Sequence, residues 1–464
     1  MEERNNLLQQ LFTKGSALLQ AGKATEALTF FEKALNIAPS NAHLNLFTGA
    51  ALHSLGRFED AIASYRNAIA MAPAMGEAHN NLGNSLMALQ RFSEAVDSFS
   101  QSLLFLPPSP VPLTARATAL LAIGKMAEGE ADCRKALQLD PSFADAHWNL
   151  ALHLLLQGKY LEGWQEYEWR WLRPDFTSPR RHTDIPLWDG SSLYGRSILL
   201  HAEQGFGDAI QFARYAPMVA QRGGKVIIEC HPQLVQIMQS IEGVQMVIPF
   251  DADHPAVSCQ APLLSLPRIF GTTPLSIPSQ TPYLFVSEGQ RFKWAEVIRP
   301  RNTSTIRVGL VWTGKSYPDP LRSCRLETLA PLAEVKETSF YSLQLGPGSE
   351  QPPPAGMTLI DLSDQLCDFI DTAALIEQLD LVISIDTAVA HLAAALGKPV
   401  FLMLPFAPDW RWLLDRRDSP WYPTMQIFRQ NQPGKWEEVL LRVQEALITF
   451  SQDNKKSFEE PPKD

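Results

Sequence analysis

The sequence predicts an α + α/β chain: an N-terminal α-solenoid followed by two α/β lobes. Three observations predict it. Pro39, Pro73, Pro107 and Pro141 recur at intervals of 34 residues through the first third, a period that marks stacked two-helix repeats. Beyond Pro174 the pattern changes to short apolar runs alternating with helical stretches, as in parallel sheets covered by helices. Those runs fall into two groups, one on each side of a Pro-rich middle at roughly 253–305.

The repeat register holds beyond the prolines. Ala27, Ala61, Ala95 and Gly129 lie twelve residues before them, Phe31, Tyr65, Phe99 and Cys133 eight before, and Gly15, Gly49, Gly83 and Ala117 twenty-four before. Small residues let two antiparallel helices approach closely, the aromatic fills the groove to the next unit, and proline stops the second helix. These positions resemble tetratricopeptide repeats over about 1–170. A fifth, altered unit runs through Trp148, Ala151, Gly158, Gly163 and Tyr167, and its YEWRW end (167–171) is expected to dock the array on the α/β part. The concave face of such an array implies a protein or peptide partner; a purely structural or dimerising module is the alternative.

Composition bounds the rest. A chain of 464 residues exceeds one core, so two or three domains are expected. At 45% hydrophobic and 19% charged residues it is globular rather than disordered. A net charge of −10 offers no basic stripe for nucleic acid, although a local basic site for a phosphate ligand remains open. Five scattered cysteines without a C-x-x-C pair are expected to be free thiols in a reducing compartment. The polar MEERNNLLQQ start is unlike a secretory signal, and no run approaches the ~20 apolar residues of a membrane span. The expected address is the cytoplasm.

In the α/β part, RSILLHA (196–202), KVIIEC (225–230) and QMVIP (245–249) are expected strands of the first lobe. RVGLVW (307–312), FYSLQL (340–345), MTLIDL (357–362), LDLVISID (379–386) and PVFLML (399–404) are expected strands of the second. The expected divisions are a repeat array over 1–172, a linker over 173–195, lobes over 196–300 and 301–450, and a disordered tail over 451–464. Open α/β sheets bind ligands beyond the carboxyl ends of their strands, which directs attention to three segments.

GFGDAIQ (205–211) comes directly after the first strand. Gly205 and Gly207 permit a close turn, and Asp208 at a helix N-terminus would be kept ionised there. It is either a helix cap completed by Gln211 or a proton acceptor for a hydroxyl held beside it. SIDTAVAHLAAALGKP (384–399) ends a strand in Asp386 and opens a helix with small residues. The N–H groups of Thr387, Ala388 and Val389 suit a diphosphate; an Asp-capped crossover helix with His391 in the core is the alternative. WTGKSYPDPLRS (312–323) carries Lys315 and Arg322, with Arg325 beyond it, as charges for a leaving phosphate or as members of a solvated loop. Trp410, Arg411 and Trp412 fit a packed lobe interface better than a sugar-stacking platform.

Taken in order, PLWDG (186–190), LLHAEQGFGDAIQFARYAP (199–217), VGLVW (308–312), SLQLGP (342–347), DFIDTAALIEQLDLVISIDTAVAHLAAALGKPV (368–400) and LPFAPDWRWLLDRRDSPWYPTMQIFRQ (404–430) resemble the heptosyltransferase-like enzymes of glycosyltransferase family 9, fused to tetratricopeptide repeats. The resemblance implies a GT-B fold of two Rossmann-like lobes and an inverting transfer from a nucleotide-diphosphate sugar. It implies no cofactor and no required metal, in keeping with the lack of a paired DxD motif or His/Cys cluster near the expected cleft. It implies that Asp208 is the general base. Gly205, Gly207, Thr313, Lys315, Arg322, Gln344, Asp386, Thr387, Ala388, Val389 and His391 are the implied nucleotide-sugar set. Ala388 stands where the family carries Gly, and the spacing of the basic loop leaves Lys315 and Arg322 equivalent candidates for the phosphate. Glu350 is a further candidate for the ribose hydroxyls. The expected function is therefore a glycosyltransferase acting on a protein or peptide bound by the repeats. Its rivals are a non-catalytic scaffold and a transferase for a glycan or lipid-linked acceptor.

Overall fold

A computed structural model describes residues 2–298, 305–315 and 320–459. The chain divides into two compact units, Met1–Leu154 and Leu155–Asp464.

The first unit is built of antiparallel helix pairs: α1 (Glu2–Gln20) with α2 (Ala24–Ile37), α3 (Ala42–Ser54) with α4 (Phe58–Met71), α5 (Gly76–Ala88) with α6 (Phe92–Phe105), and α7 (Pro110–Ala122) with α8 (Met126–Leu139). Helix α9 (Ala144–Leu156) begins the next pair. The register has a steric cause. A Cβ on Gly15, Gly49 or Gly83 would lie 2.6, 2.5 and 2.6 Å from the rings of Phe31, Tyr65 and Phe99. Each aromatic therefore packs on the glycine of its own repeat, where the sequence pointed to the next one, and Phe31 also reaches Phe47 of the following unit at 5.9 Å between centroids. Gly129 replaces alanine because His153 occupies that space, 2.2 Å from where a Cβ would be.

In the second unit, α10 (Tyr160–Tyr167) and a 3-10 turn (Glu168–Leu172) precede the sheets. This segment falls inside the expected array over 1–172, yet it packs with the α/β residues. Trp164 donates to Thr272 O at 3.0 Å and meets Trp410 edge-on at 5.2 Å.

Next come β1 (Ser197–His201), α11 (Phe206–Ala213), α12 (Ala216–Gln221), β2 (Lys225–Cys230), α13 (Val235–Met238), β3 (Val244–Pro249), β4 (Cys259–Pro262), α14 (Leu266–Ile269) and α15 (Glu288–Val297). The six-stranded region holds β5 (Ile306–Val311), β6 (Thr338–Ser342), β7 (Leu359–Asp361), α16 (Phe369–Glu377), β8 (Leu381–Ile385), α17 (Ala388–Ala395), β9 (Val400–Leu404), β10 (Met425–Arg429) and α18 (Glu437–Glu459). The sheet orders are β3-β2-β1-β4 and β10-β9-β8-β5-β6-β7, and every strand pair in both is parallel. The chain leaves β1 for β2 on one side and reaches β4, on the other side of β1, from β3. It leaves β5 for β6 and reaches β8, on the other side of β5, from β7. The loops after β1 and β5 lie at the topological switch points where such sheets bind ligands.

Three expectations are corrected here. Strands β4 and β10 are absent from the expected set because β4 is four residues long and contains Gln260 and Pro262, and β10 comes after a Trp- and Pro-rich loop. Helix α15 goes with the second sheet rather than the first: Trp294 and Lys293 donate to Asp371 on α16 at 3.1 and 3.0 Å. The expected tail is helical through Glu459, because Leu440, Val443, Leu447 and Ser451 continue one buried stripe at helical spacing; residues 460–464 lie outside the described set.

Replacing an exposed helical glycine by alanine stabilises by about 1 kcal/mol, whereas forcing an atom into a filled core costs about 1–3 kcal/mol. At Gly49 the second effect dominates, since the added Cβ meets the Tyr65 ring. Gly49→Ala is expected to lower the thermal midpoint of the repeat unit; a higher midpoint would show that the contact yields.

Candidate functional site

The loop after β1 is held from several sides. Gln204 sits in the left-handed region at φ 60 and donates its N–H to Ser178 Oγ at 2.8 Å. Just before it, Glu203 is buried and takes two bonds from Arg170, at 2.7 Å from Nη2 and 3.2 Å from Nε. Arg170 is itself fully buried and also donates to Ser265 Oγ at 2.9 Å and to Glu168 at 2.9 Å. A buried ion pair with its remaining donors satisfied fixes geometry, and loss of one partner leaves an uncompensated charge.

Asp208 is the third residue of α11. The helix cap is Gly205, and Asp208 Oδ2 accepts the Gly205 N–H at 2.9 Å. Gln211 is not the partner expected for a cap; its Oε1 accepts from Arg411 Nε at 2.6 Å. Asp208 Oδ1 accepts a close charge-assisted bond from Arg411, which also donates to Asp409 Oδ1 at 2.8 Å and lies over the Trp410 ring at 4.3 Å. Burial raises the Asp208 pKa, opposed chiefly by the Arg411 charge. The helix N-terminus was expected to favour the ionised form; desolvation is the larger influence. With 19% of its side chain exposed, the carboxylate remains reachable.

Helix α11 meets α17 directly. A Cβ on Gly207 would stand 3.0 Å from His391 Cδ2 and 3.6 Å from Ala388 Cα, so glycine here lets the two helix N-termini close on one another. Thr387 caps α17 without a side-chain bond to its backbone, its hydroxyl lying 3.1 Å from that of Ser384. Thr387, Ala388 and Val389 are half-buried, open enough for a ligand. Asp386 is not the cap: its Oδ2 accepts the Trp412 indole N–H at 2.8 Å. Burial, then the charge of Asp409, raises its pKa to about 6 against the Trp412 bond and the charges of Arg411 and Arg322. His391 is a core residue, with Nδ1 2.9 Å from the Tyr422 hydroxyl and Nε2 3.7 Å from Asp386. Burial lowers its pKa well below the ordinary value, so the ring is neutral.

Beyond β5, Lys315 is exposed and Arg322 half-buried, packed over Gly314 and donating to Lys315 O at 3.1 Å. Gln344 is a buried brace. Its Oε1 accepts the N–H groups of Trp312 and Thr313 at 3.2 and 2.9 Å, and its Nε2 donates to Thr313 O and Pro347 O, both at 3.0 Å. Thr313 packs on Gly348, where a Cβ would lie 2.6 Å from Thr313 Oγ1. Glu350 is exposed.

The structure thus brings Gly207 against Ala388 and His391, with Gly205 and Asp208 next to it on the first turn of α11 and Asp386 and Thr387 next to Ala388. Residues that the sequence does not single out complete the arrangement: Asp409 and the Arg170–Glu203 pair. Arg411 is visible in the sequence only within an aromatic run; its charge between Trp410 and Trp412 is the available signal.

Comparison with known proteins finds repeats in the N-terminal part and a glycosyltransferase match in the C-terminal region. Tetratricopeptide-repeat profiles match residues 18–63, 48–110 and 114–172, and the glycosyltransferase family 9 (heptosyltransferase) profile matches 367–403. The repeat matches thus lie in the N-terminal part of the chain and the glycosyltransferase family 9 match in its C-terminal region. That segment contains Asp386, Thr387, Ala388, Val389 and His391, and it supports a glycosyltransferase. Asp208, Thr313, Lys315, Arg322 and Gln344 lie outside it. Protein FlbA of Caulobacter vibrioides is 27% identical over 373 residues, 72% of this chain; the chain spans 61% of that relative's length. Among solved structures, MamA of Desulfovibrio magneticus RS-1 is similar at 16% identity over 35% of this chain and 92% of its own (TM-score 0.34). YrrB, described as a TPR protein with an unusual peptide-binding site, is similar at 17% identity over 36% and 86% (TM-score 0.32). No described helix is long and apolar enough to cross a membrane.

The geometry yields two tests. Arg170→Ala strands buried Glu203 and is expected to cost about 3–5 kcal/mol, read by denaturant unfolding; an unchanged midpoint would mean that Glu203 is solvated. Asp386 has a folded pKa above its unfolded value, so its ionisation costs stability as pH rises from about 4 to 6 and the cost is complete above 6. Asp386→Asn keeps an acceptor for Trp412. It is expected to stabilise by on the order of 2 kcal/mol above pH 6 and to be neutral near pH 3. A gain independent of pH would contradict the assignment.

Proposed function

We propose that the chain is an inverting, metal-independent glycosyltransferase that moves a sugar from a nucleotide-diphosphate sugar to an acceptor hydroxyl. The observation that carries this reading is the meeting of α11 and α17. A reachable carboxylate raised in pKa by burial stands beside the N-terminus of a helix opened by small residues, within one contact of Ala388. The N–H groups at that helix start suit a diphosphate, and the Asp208 carboxylate is of the chemistry that accepts a proton from an acceptor hydroxyl.

In this scheme Asp208 takes the acceptor proton while the acceptor oxygen bonds to the anomeric carbon. The bond from that carbon to the phosphate oxygen breaks, and its electron pair leaves with the nucleoside diphosphate. Lys315 and Arg322, on the loop after β5, are the charges available to the departing phosphate. Asp386 and Thr387 line the donor side. Gln344 and Thr313 act on the donor indirectly by holding the basic loop, and His391 by holding Asp386 and α17. The repeats support binding of a protein or peptide, which we propose as the acceptor.

The test is thermal stabilisation by ADP, GDP, UDP and their sugars, with turnover measured in parallel. One nucleotide is expected to stabilise both the wild type and Asp208→Asn, while Asp208→Asn lowers kcat by about 10²–10⁴. Absence of stabilisation by every nucleotide at millimolar concentration would favour a non-catalytic binding protein.

A further inference from the structure

We propose that Arg411 is a donor-responsive positioning residue: it pairs with Asp208 and passes to the diphosphate when a nucleotide occupies the start of α17. This rests on the glycosyltransferase reading above and adds a role that neither the repeats nor the matched family segment assigns.

Charge is the first consideration. Asp208, Asp409 and Asp386 converge on one small region, and Arg411 is shared between the first two. An anionic diphosphate entering beside three carboxylates needs a cation delivered to it. Arg411 is nearly buried, with 8% of its side chain exposed, and its charge acts on both Asp386 and His391. The next residue, Trp412, already holds Asp386. Arg411 thus stands between the base and the donor helix, whereas Lys315 lies exposed on the β5 loop.

Occupancy is the second. Both carboxylate oxygens of Asp208 are engaged, one by Arg411 and one by the Gly205 N–H. An Arg-bound carboxylate is a weak proton acceptor; released from Arg411 but still buried, it becomes a stronger one. Gln211 supplies a third observation. It is fully buried, its Oε1 accepts from Arg411, and its Nε2 has no partner among the described residues. An unsatisfied buried donor is costly, and it marks an arrangement that a bound ligand or a shift of Arg411 would complete. The backbone after Trp412 is strained as well, with Leu413 and Asp415 both at φ 53, so a rearrangement of this loop starts from a raised ground state.

The test is a double-mutant cycle on binding of whichever of ADP, GDP or UDP the wild type binds most tightly. Asp208→Asn is expected to tighten that nucleotide about tenfold, because Arg411 no longer has to leave a carboxylate. In the Arg411→Gln background the same change is expected to gain less than about twofold, and Arg411→Lys should restore part of the gain. A purely structural Arg411 would not make the effect of Asp208→Asn depend on it. An equal gain with and without Arg411 would show charge removal alone and overturn the switch, as would no gain in Asp208→Asn. Should Arg411→Gln fail to fold, Arg411→Met supplies the neutral background: a gain there as large as in the wild-type background contradicts the proposal. If the wild type binds none of the three nucleotides, the glycosyltransferase reading fails and this proposal with it; binding without coupling removes the switch alone.

Discussion

Glycine at position 207 lets the first turn of α11 lie against Ala388 and His391, and beside that contact Arg411 reaches from the loop after β9 to Asp208. Much of the α/β unit is arranged around this junction of two helix N-termini. A larger residue at 207 would push against the His391 ring, whose face stacks on Trp412 and whose Nδ1 edge is held by Tyr422. The carboxylate and the open N–H groups are therefore set by packing rather than by loop preference, and a site held by packed elements keeps its geometry better than one held by loops alone.

That junction is supported from behind by an aromatic cluster. Tyr160, Trp164 and Tyr167 of the last repeat-like segment pack with Phe212, Trp410 and Trp421. Trp410 carries Arg411, and Phe212 lies one helical turn beyond Asp208. The same segment supplies Arg170, whose pairing with Glu203 fixes the approach to Gly205. Residues that belong by sequence to the repeat register thus serve, by contact, as a wall of the α/β unit. This explains why a repeat profile extends to 172 while the compact unit begins at Leu155.

The repeat array is legible in the sequence because its spacing is steric: Gly49 and Tyr65 must recur together or the helices separate. The parallel strands are legible as uninterrupted apolar runs, buried on both faces. Strand β4 is not, since four residues containing Gln260 and Pro262 carry no periodic signal, and neither is the helical tail, where lysines and glutamates mask a buried stripe. At the site, GFGD and SIDTA stand out because small residues beside a carboxylate after a strand limit the possible geometries. Arg411 has no role that the sequence could assign, because an ion pair across 203 residues leaves no local pattern. The same holds for Arg170 and Glu203, whose charges in a linear reading look like ordinary surface residues.

Whether Asp208 and the start of α17 form one site for a nucleotide-linked sugar is decided most directly by a crystal structure of the chain with the nucleoside diphosphate that stabilises it. Diphosphate density is expected on the N–H groups of Ala388 and Val389, with the Asp208 carboxylate facing the vacant sugar position. Nucleotide bound elsewhere, or an Asp208 turned away from it and bonded only within its own helix, would contradict the single-site assignment.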